Sequence, residues 1–129
     1  MKTLILAVLV FPLGAAAECH LNNPNAIVCL TPDNALGAYR HFGDNAQLTN
    51  QPYNRDILRR YGCTRPYGAA YSTVHIEEVG HTQVPTSSGY GGVTTASING
   101  SDIYYVADGY LSGTCAKYRP KTYSVPPPQ

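Results

Sequence analysis

Residues 93–111 read VTTASINGSDIYYVADGYL. Two runs rich in β-branched and aromatic residues, Val93–Ile98 and Ile103–Leu111, flank Asn99-Gly100-Ser101-Asp102. Asn-Gly between such runs is a strong hairpin signal, because a tight two-strand turn needs positive φ and these two residues tolerate it. Upstream, Tyr71 to Val84 alternates, with Val74 and Ile76 on one face and Thr73, His75, Glu77, Val79 and His81 on the other. The intervening Pro85-Thr86-Ser87-Ser88-Gly89-Tyr90-Gly91-Gly92 has the composition of a mobile loop.

Before Tyr67 the texture is helical. Thr31 suits an N-cap, Pro32 the first helical position, and Asp33 the positive end of the helix dipole. Leu36, Tyr39 and Phe42 recur at spacing three and Gly43 stands where a left-handed C-cap belongs, which predicts a helix over 32–42 with those three residues inward. A second short helix is expected between Asn54, as cap, and Gly62, with Ile57, Leu58 and Tyr61 facing the core and Arg55 and Arg59 facing outward. Ala26 to Leu30 could form an additional strand. The fold class is therefore α+β: one or two short helices packed on an antiparallel sheet in a single domain.

The two ends read differently. Lys2, the apolar run Leu4–Phe11 and the small triplet Ala15-Ala16-Ala17 have the form of a secretory signal peptide, too short to cross a bilayer. Cleavage after Ala17 would take 17 of the 129 residues and leave 112, enough for one domain over 18–116 and a Pro-rich, disordered tail over 117–129. No membrane association is expected. All four cysteines, Cys19, Cys29, Cys63 and Cys115, would then enter an oxidising compartment as an even set. Three pairings are open. Cys19–Cys115 with Cys29–Cys63 is favoured, because joining the ends of the domain restricts the unfolded chain most, by about 4 to 5 kcal/mol on the chain-entropy model.

Charge and composition narrow the function classes. Without Lys2, eight Lys and Arg face eight Asp and Glu, so there is no bulk pull toward nucleic acid or membrane. Arg40, Arg55, Arg59, Arg60 and Arg65 nevertheless cluster beside only Asp44 and Asp56, and with Tyr53, Tyr61 and Tyr67 they could form a modest basic, aromatic face. Such a face on a capped helix is ordinarily solvated, and a nucleic-acid partner is not expected. Eleven Tyr with no Trp and one Met suit either a half-buried core or a recognition surface. No C-x-x-C or His-rich spacing predicts a metal site, and no cofactor is expected. Gln83-Val84-Pro85 lacks the Q-x-V-x-G turn of cystatin-type inhibitors.

The one pairing with chemical content is His75 with Glu77, joined by His81 if the strand has no bulge. An imidazole beside a carboxylate is the minimum equipment for general acid–base work. The same face is equally the wet side of an amphipathic strand. As a metal triad it fails, since six residues of strand span about 20 Å. Asn99-Gly100-Ser101 is also an N-glycosylation sequon, placed at an accessible hairpin tip.

The early helix, Tyr-rich strands and late hairpin resemble those of secreted microbial guanyl-specific ribonucleases, which are similar in size and carry two disulfides. That resemblance implies a role for His75 and Glu77, yet no Arg lies on Val93–Leu111 and no His follows His81, so half of such a site is missing. A relative without activity is what it then implies. The leader Met1–Ala17 followed by a four-cysteine, Tyr- and Gly-rich domain resembles the small secreted effectors of plant-colonising fungi. This resemblance implies a monomeric binding protein, outside or delivered into host cells, that engages a host protein such as an apoplastic protease or immune component. Its expected contact residues are Tyr90, Tyr104, Tyr105 and Tyr110 with Arg55 and Arg59. The competing classes are an extracellular hydrolase or ribonuclease-like enzyme using His75 and Glu77, and a wall-associated structural protein.

Overall fold

A computed structural model describes residues 18–100 and 102–119; the leader, Ser101 of the sequon and the Pro-rich end from 120 lie outside the described residues. The α+β architecture is as expected. A five-stranded antiparallel sheet runs in the order β3-β2-β6-β5-β4, from β2 (Val28–Cys29), β3 (Cys63–Thr64), β4 (Ile76–Thr86), β5 (Gly89–Ile98) and β6 (Ile103–Ala107). β1 (His20–Leu21) and β7 (Leu111–Ser112) form a separate two-stranded ribbon. Helices α1 (Pro32–Phe42), α2 (Ala46–Asn50) and α3 (Pro52–Arg60) fill the stretch between β2 and β3.

Local chemistry explains α1. The Thr31 hydroxyl accepts the Asn34 N–H at 3.3 Å, Pro32 opens the helix, and Gly43 at φ 53° donates its N–H to the Tyr39 carbonyl at 2.8 Å. Ala35, Leu36, Ala38 and Phe42 are buried as the helix lies across β5 and β6. Cys29 and Cys63 stand opposite each other in β2 and β3 and are joined, so the three helices hang from a closed loop; the second disulfide links Cys19 to Cys115.

Several expectations are corrected. The mobile loop 85–92 is instead the closed end of a long hairpin, in which Val84 pairs with Gly91 and Pro85 with Tyr90 around a two-residue turn at Ser87-Ser88. The Thr86 hydroxyl knits that turn, donating to the Gly89 carbonyl at 3.1 Å and accepting the Ser88 N–H at 3.2 Å. Glycine serves close approach here rather than mobility: a Cβ at Gly91 would stand 2.6 Å from Leu36 Cδ1. The strand expected from Tyr71 starts only at Ile76, after a 3₁₀ turn over Gly68–Thr73. α3 starts at Pro52, and Asn54 caps nothing in it; its carboxamide donates to the Leu48 carbonyl at 2.8 Å, tying α3 to α2. The tail expected from Lys117 stays on the domain as far as Arg119: the Lys117 N–H donates to the Glu78 carboxylate and the Arg119 guanidinium to the Thr94 hydroxyl.

Tyr110 is the largest correction. It was expected on a binding surface and is wholly buried. A 3₁₀ turn over Asp108–Tyr110 swings the ring inward, edge-on to Tyr39 at 4.9 Å, and its hydroxyl donates to the Gly43 carbonyl at 2.6 Å. A phenol is buried comfortably when its polar tip finds a partner. Burial first, then the Tyr39 and Asp44 groups, push its ionisation well above the usual tyrosine range, against a smaller opposing pull from Arg65.

Candidate functional site

The His75, Glu77, His81 face does not exist as such, because β4 is bulged. Glu77 pairs with Ser97 and Glu78 with Ala96, but Gly80 then pairs with Thr95, leaving Val79 as an extra residue. One inserted residue resets the alternation of every side chain beyond it. His81 therefore turns inward opposite Thr94, its side chain 2% exposed, while His75 and Glu77 remain exposed.

His81 joins a partly buried polar cluster instead. Its Nε2 lies 2.9 Å from Asp108 Oδ2, so against a carboxylate, which can only accept, that nitrogen carries the proton. Asp108 Oδ1 accepts the Thr94 hydroxyl at 2.8 Å and the Arg119 guanidinium at 3.1 Å. Arg119 also donates to Thr94 Oγ1 at 3.0 Å and to the Cys115 carbonyl. Nearby on the same face, buried Glu78 accepts the Lys117 N–H at 2.8 Å. Arg119 and Asp108 pair as opposite charges in a protected space, while Arg119 Nε and Glu78 Oε2 are buried without a hydrogen-bond partner. This cluster fastens the C-terminal turn to the sheet.

His75 itself is held by its backbone, whose N–H donates to Asn99 Oδ1 at 2.9 Å and whose carbonyl accepts the Asn99 N–H at 2.8 Å. Asn99 is exposed at φ 53°, the conformation its turn requires. The His75 side chain borders an open cleft of about 440 Å³ shared with Glu18, His20, Tyr71, Thr73 and Ser112. His20 comes from the other end of the chain, brought there by β1 and the Cys19–Cys115 bond, and its Nδ1 is buried with no hydrogen-bond partner. Nothing local in the sequence pairs His20 with His75. Among the described residues no cluster of three or more His, Cys, Asp or Glu could hold a metal ion.

The aromatic and basic positions separate into different places. Tyr90 is half exposed near the β4–β5 turn, and Tyr104 and Tyr105, as neighbours on β6, point to opposite faces of the sheet and are half buried. Tyr104 packs near Tyr67, whose hydroxyl is pushed up by burial and then by Tyr104. Arg55 donates to the Asn50 carbonyl, and Arg59 and Arg60 share Asp56 at 3.1 and 3.4 Å; all three are exposed, as expected of Arg55 and Arg59.

α3 departs from expectation on its apolar side. Leu58 alone is buried. Tyr61, expected inward, is 61% exposed and Tyr53 is 69% exposed, with Ile57 half-buried between them. At spacing i, i+4, i+8 these three form one stripe along the helix. Leu30, 60% exposed, lies beside it, its side chain within 3.3 Å of where a Cβ on Gly62 would stand. Between α1 and α3 runs an apolar groove of about 250 Å³, with Gly37, Ala38 and Phe42 on one wall and Ile57, Leu58 and Tyr61 on the other. Compared with protein-family models, with curated proteins and with solved structures, the chain matches none.

Proposed function

We propose that this chain is a secreted binding protein that engages a protein of the host it colonises, such as an apoplastic protease or an immune component, through the outer surface of α1 and α3. The observation that carries this reading is the pair of exposed tyrosines Tyr53 and Tyr61, with half-buried Ile57 between them and exposed Leu30 beside them. A small domain gains stability by covering such side chains, and Leu58 shows that α3 anchors with a single one. Tyrosines flanked by arginines are the side chains that dominate protein–protein contacts, because they bring large area at low entropic cost. Two disulfides within a domain of this size fit an oxidising, extracellular setting.

The test is capture from extract of the host tissue with the immobilised protein. Retention of one protein in stoichiometric amount, lost with Tyr53→Ala and Tyr61→Ala together and kept with Thr82→Ala on the exposed edge of β4, is the expected result. Equal retention by all three forms overturns the reading.

A hydrolase reading retains one specific observation, the cleft that unites His75 with His20 beside Glu18. Two imidazoles facing one space can serve as acid and base. This reading requires multiple turnover of RNA, polysaccharide or peptide that His75→Ala abolishes while the melting temperature stays put. Glu77 borders a neighbouring depression that His75 also lines, so Glu77→Gln should slow the same turnover.

A further inference from the structure

We infer that the depression between α2, α3 and β3 binds a phosphate monoester, holding its dianion between the guanidinium groups of Arg55 and Arg65. The site is independent of the binding reading above. The depression has a volume of about 230 Å³, which suits a single small group and not an extended ligand. Three arginines line it, Arg55 and Arg59 from α3 and Arg65 from just beyond β3, and no carboxylate does.

Two of these charges lack a counter-charge. Arg65 Nη1 donates to Thr49 Oγ1 at 2.8 Å and to Asn50 Oδ1 at 2.7 Å, and Arg55 Nη1 donates to the Asn50 carbonyl. Every one of those acceptors is neutral. Among the described residues neither arginine meets a carboxylate within ion-pair distance, whereas Arg59 shares Asp56 with Arg60. The same bonds bring the two cations together, because both guanidiniums grip Asn50, the last residue of α2. Arg65 Nε is in addition buried without a hydrogen-bond partner, a donor that an acceptor brought into the depression would relieve.

The chemistry of these groups selects the ligand. A guanidinium keeps its charge and presents planar forks of N–H donors that match phosphate oxygens. A phosphate monoester carries a charge near −2 at neutral pH, which balances the two uncompensated arginines. Its three terminal oxygens can accept from both forks and from the Thr64 hydroxyl, which also lines the depression. The ester carbon finds an apolar contact in Leu58 and the Cys29–Cys63 disulfide. A carboxylate or a sulfate ester brings one negative charge and leaves the second arginine unbalanced.

Calorimetric titration of the full disulfide-bonded chain with phenyl phosphate at constant ionic strength provides the test. The expected result is saturable binding at one site that weakens about tenfold with Arg55→Gln, an exposed position, and at least as much with Arg65→Gln. Should Arg65→Gln fail to fold for want of its bonds to Thr49 and Asn50, Arg55→Gln decides alone. Arg40→Gln removes the same charge from α1 at a residue that lines a different depression, and should change the affinity less than about twofold. Phenyl sulfate, of the same shape with one charge fewer, should bind about tenfold more weakly than phenyl phosphate. In nuclear magnetic resonance spectra the Arg65 Nε–H signal should shift as phenyl phosphate is added. Absence of saturable binding, equal affinity for phosphate and sulfate esters, or equal losses in Arg40→Gln and Arg55→Gln overturns the inference. Binding of inorganic phosphate without binding of the ester overturns it as well. Tyr53→Ala with Tyr61→Ala should leave phenyl phosphate binding unchanged, so failure of host-protein capture and failure of this site are read separately.

Discussion

Gly91 and Gly37 are the same residue with opposite roles. At Gly91 an added methyl would meet the Leu36 side chain at 2.6 Å, in the layer where α1 lies on the sheet; at Gly37 it would meet nothing. Gly91→Ala should therefore destabilise by about 1–3 kcal/mol through overpacking. Gly37→Ala should stabilise by about 0.5–1 kcal/mol, because alanine loses less backbone freedom in a helix. Urea unfolding of the two variants checks the pair of signs. Tyr110 supports a pH prediction of defined sign. Its hydroxyl ionises above the ordinary value near 10.0 in the folded chain. Its stabilising effect is thus fully present below pH 10 and declines as pH rises beyond it, since the unfolded chain then releases the proton first. Tyr110→Phe should cost about 1–2 kcal/mol at neutral pH by stranding the Gly43 carbonyl. It should also flatten the alkaline decline, which melting curves from pH 8 to 11 would show. The burial of Tyr110 was not legible from residue type, because a tyrosine after Asp-Gly fits a surface turn as well as a core. Only its hydrogen-bond partner, 67 residues away, decides between them.

Element by element, the features written in short-range chemistry were the readable ones. α1 carried its cap, its proline and its terminating glycine within the sequence, and the β5–β6 turn carried Asn99-Gly100, which adopt φ 53° and 73° as that turn needs. The β4–β5 hairpin is hidden in the sequence because clustered glycines have the composition of a loop, whereas Gly91 is required by the packing of Leu36, a contact between residues 55 apart. The bulge at Val79 has no local signature either, and it alone decides that His81 is a buried structural group and not a companion of His75. Deleting Val79 should move His81, Thr82 and each later residue of β4 to the opposite face of the sheet, exposing Val84 and breaking the His81–Asp108 contact. We expect loss of more than about 3 kcal/mol or failure to fold. Val79→Thr, at an exposed position, should stay within about 0.5 kcal/mol. Comparable stabilities for the two variants by chemical denaturation would refute this account of the bulge.

Across the whole molecule, the disulfides enclose different units. Cys29–Cys63, with a sequence separation of 34, closes the helical lobe, and Cys19–Cys115, with a separation of 96, closes the domain. On the chain-entropy model, replacing Cys19 and Cys115 by serine should cost about 4–5 kcal/mol and replacing Cys29 and Cys63 about 4 kcal/mol. The first change should also release β1, opening the cleft where His20 meets His75, so exchange of the amides of residues 19–22 should accelerate only in that variant. Uniform acceleration in both would contradict the separation. The amino-acid sequence alone determined the α+β class, the limits of α1, the late hairpin and an even set of cysteines, because each depends on side chains acting on backbone a few residues away. Tertiary structure decided which tyrosines are core and which are surface, that His81 leaves His75 for Asp108, that His20 arrives beside His75, and that Tyr61 faces outward over a groove. Those outcomes depend on contacts between residues tens of positions apart, whose energies do not exist until the chain has closed around them.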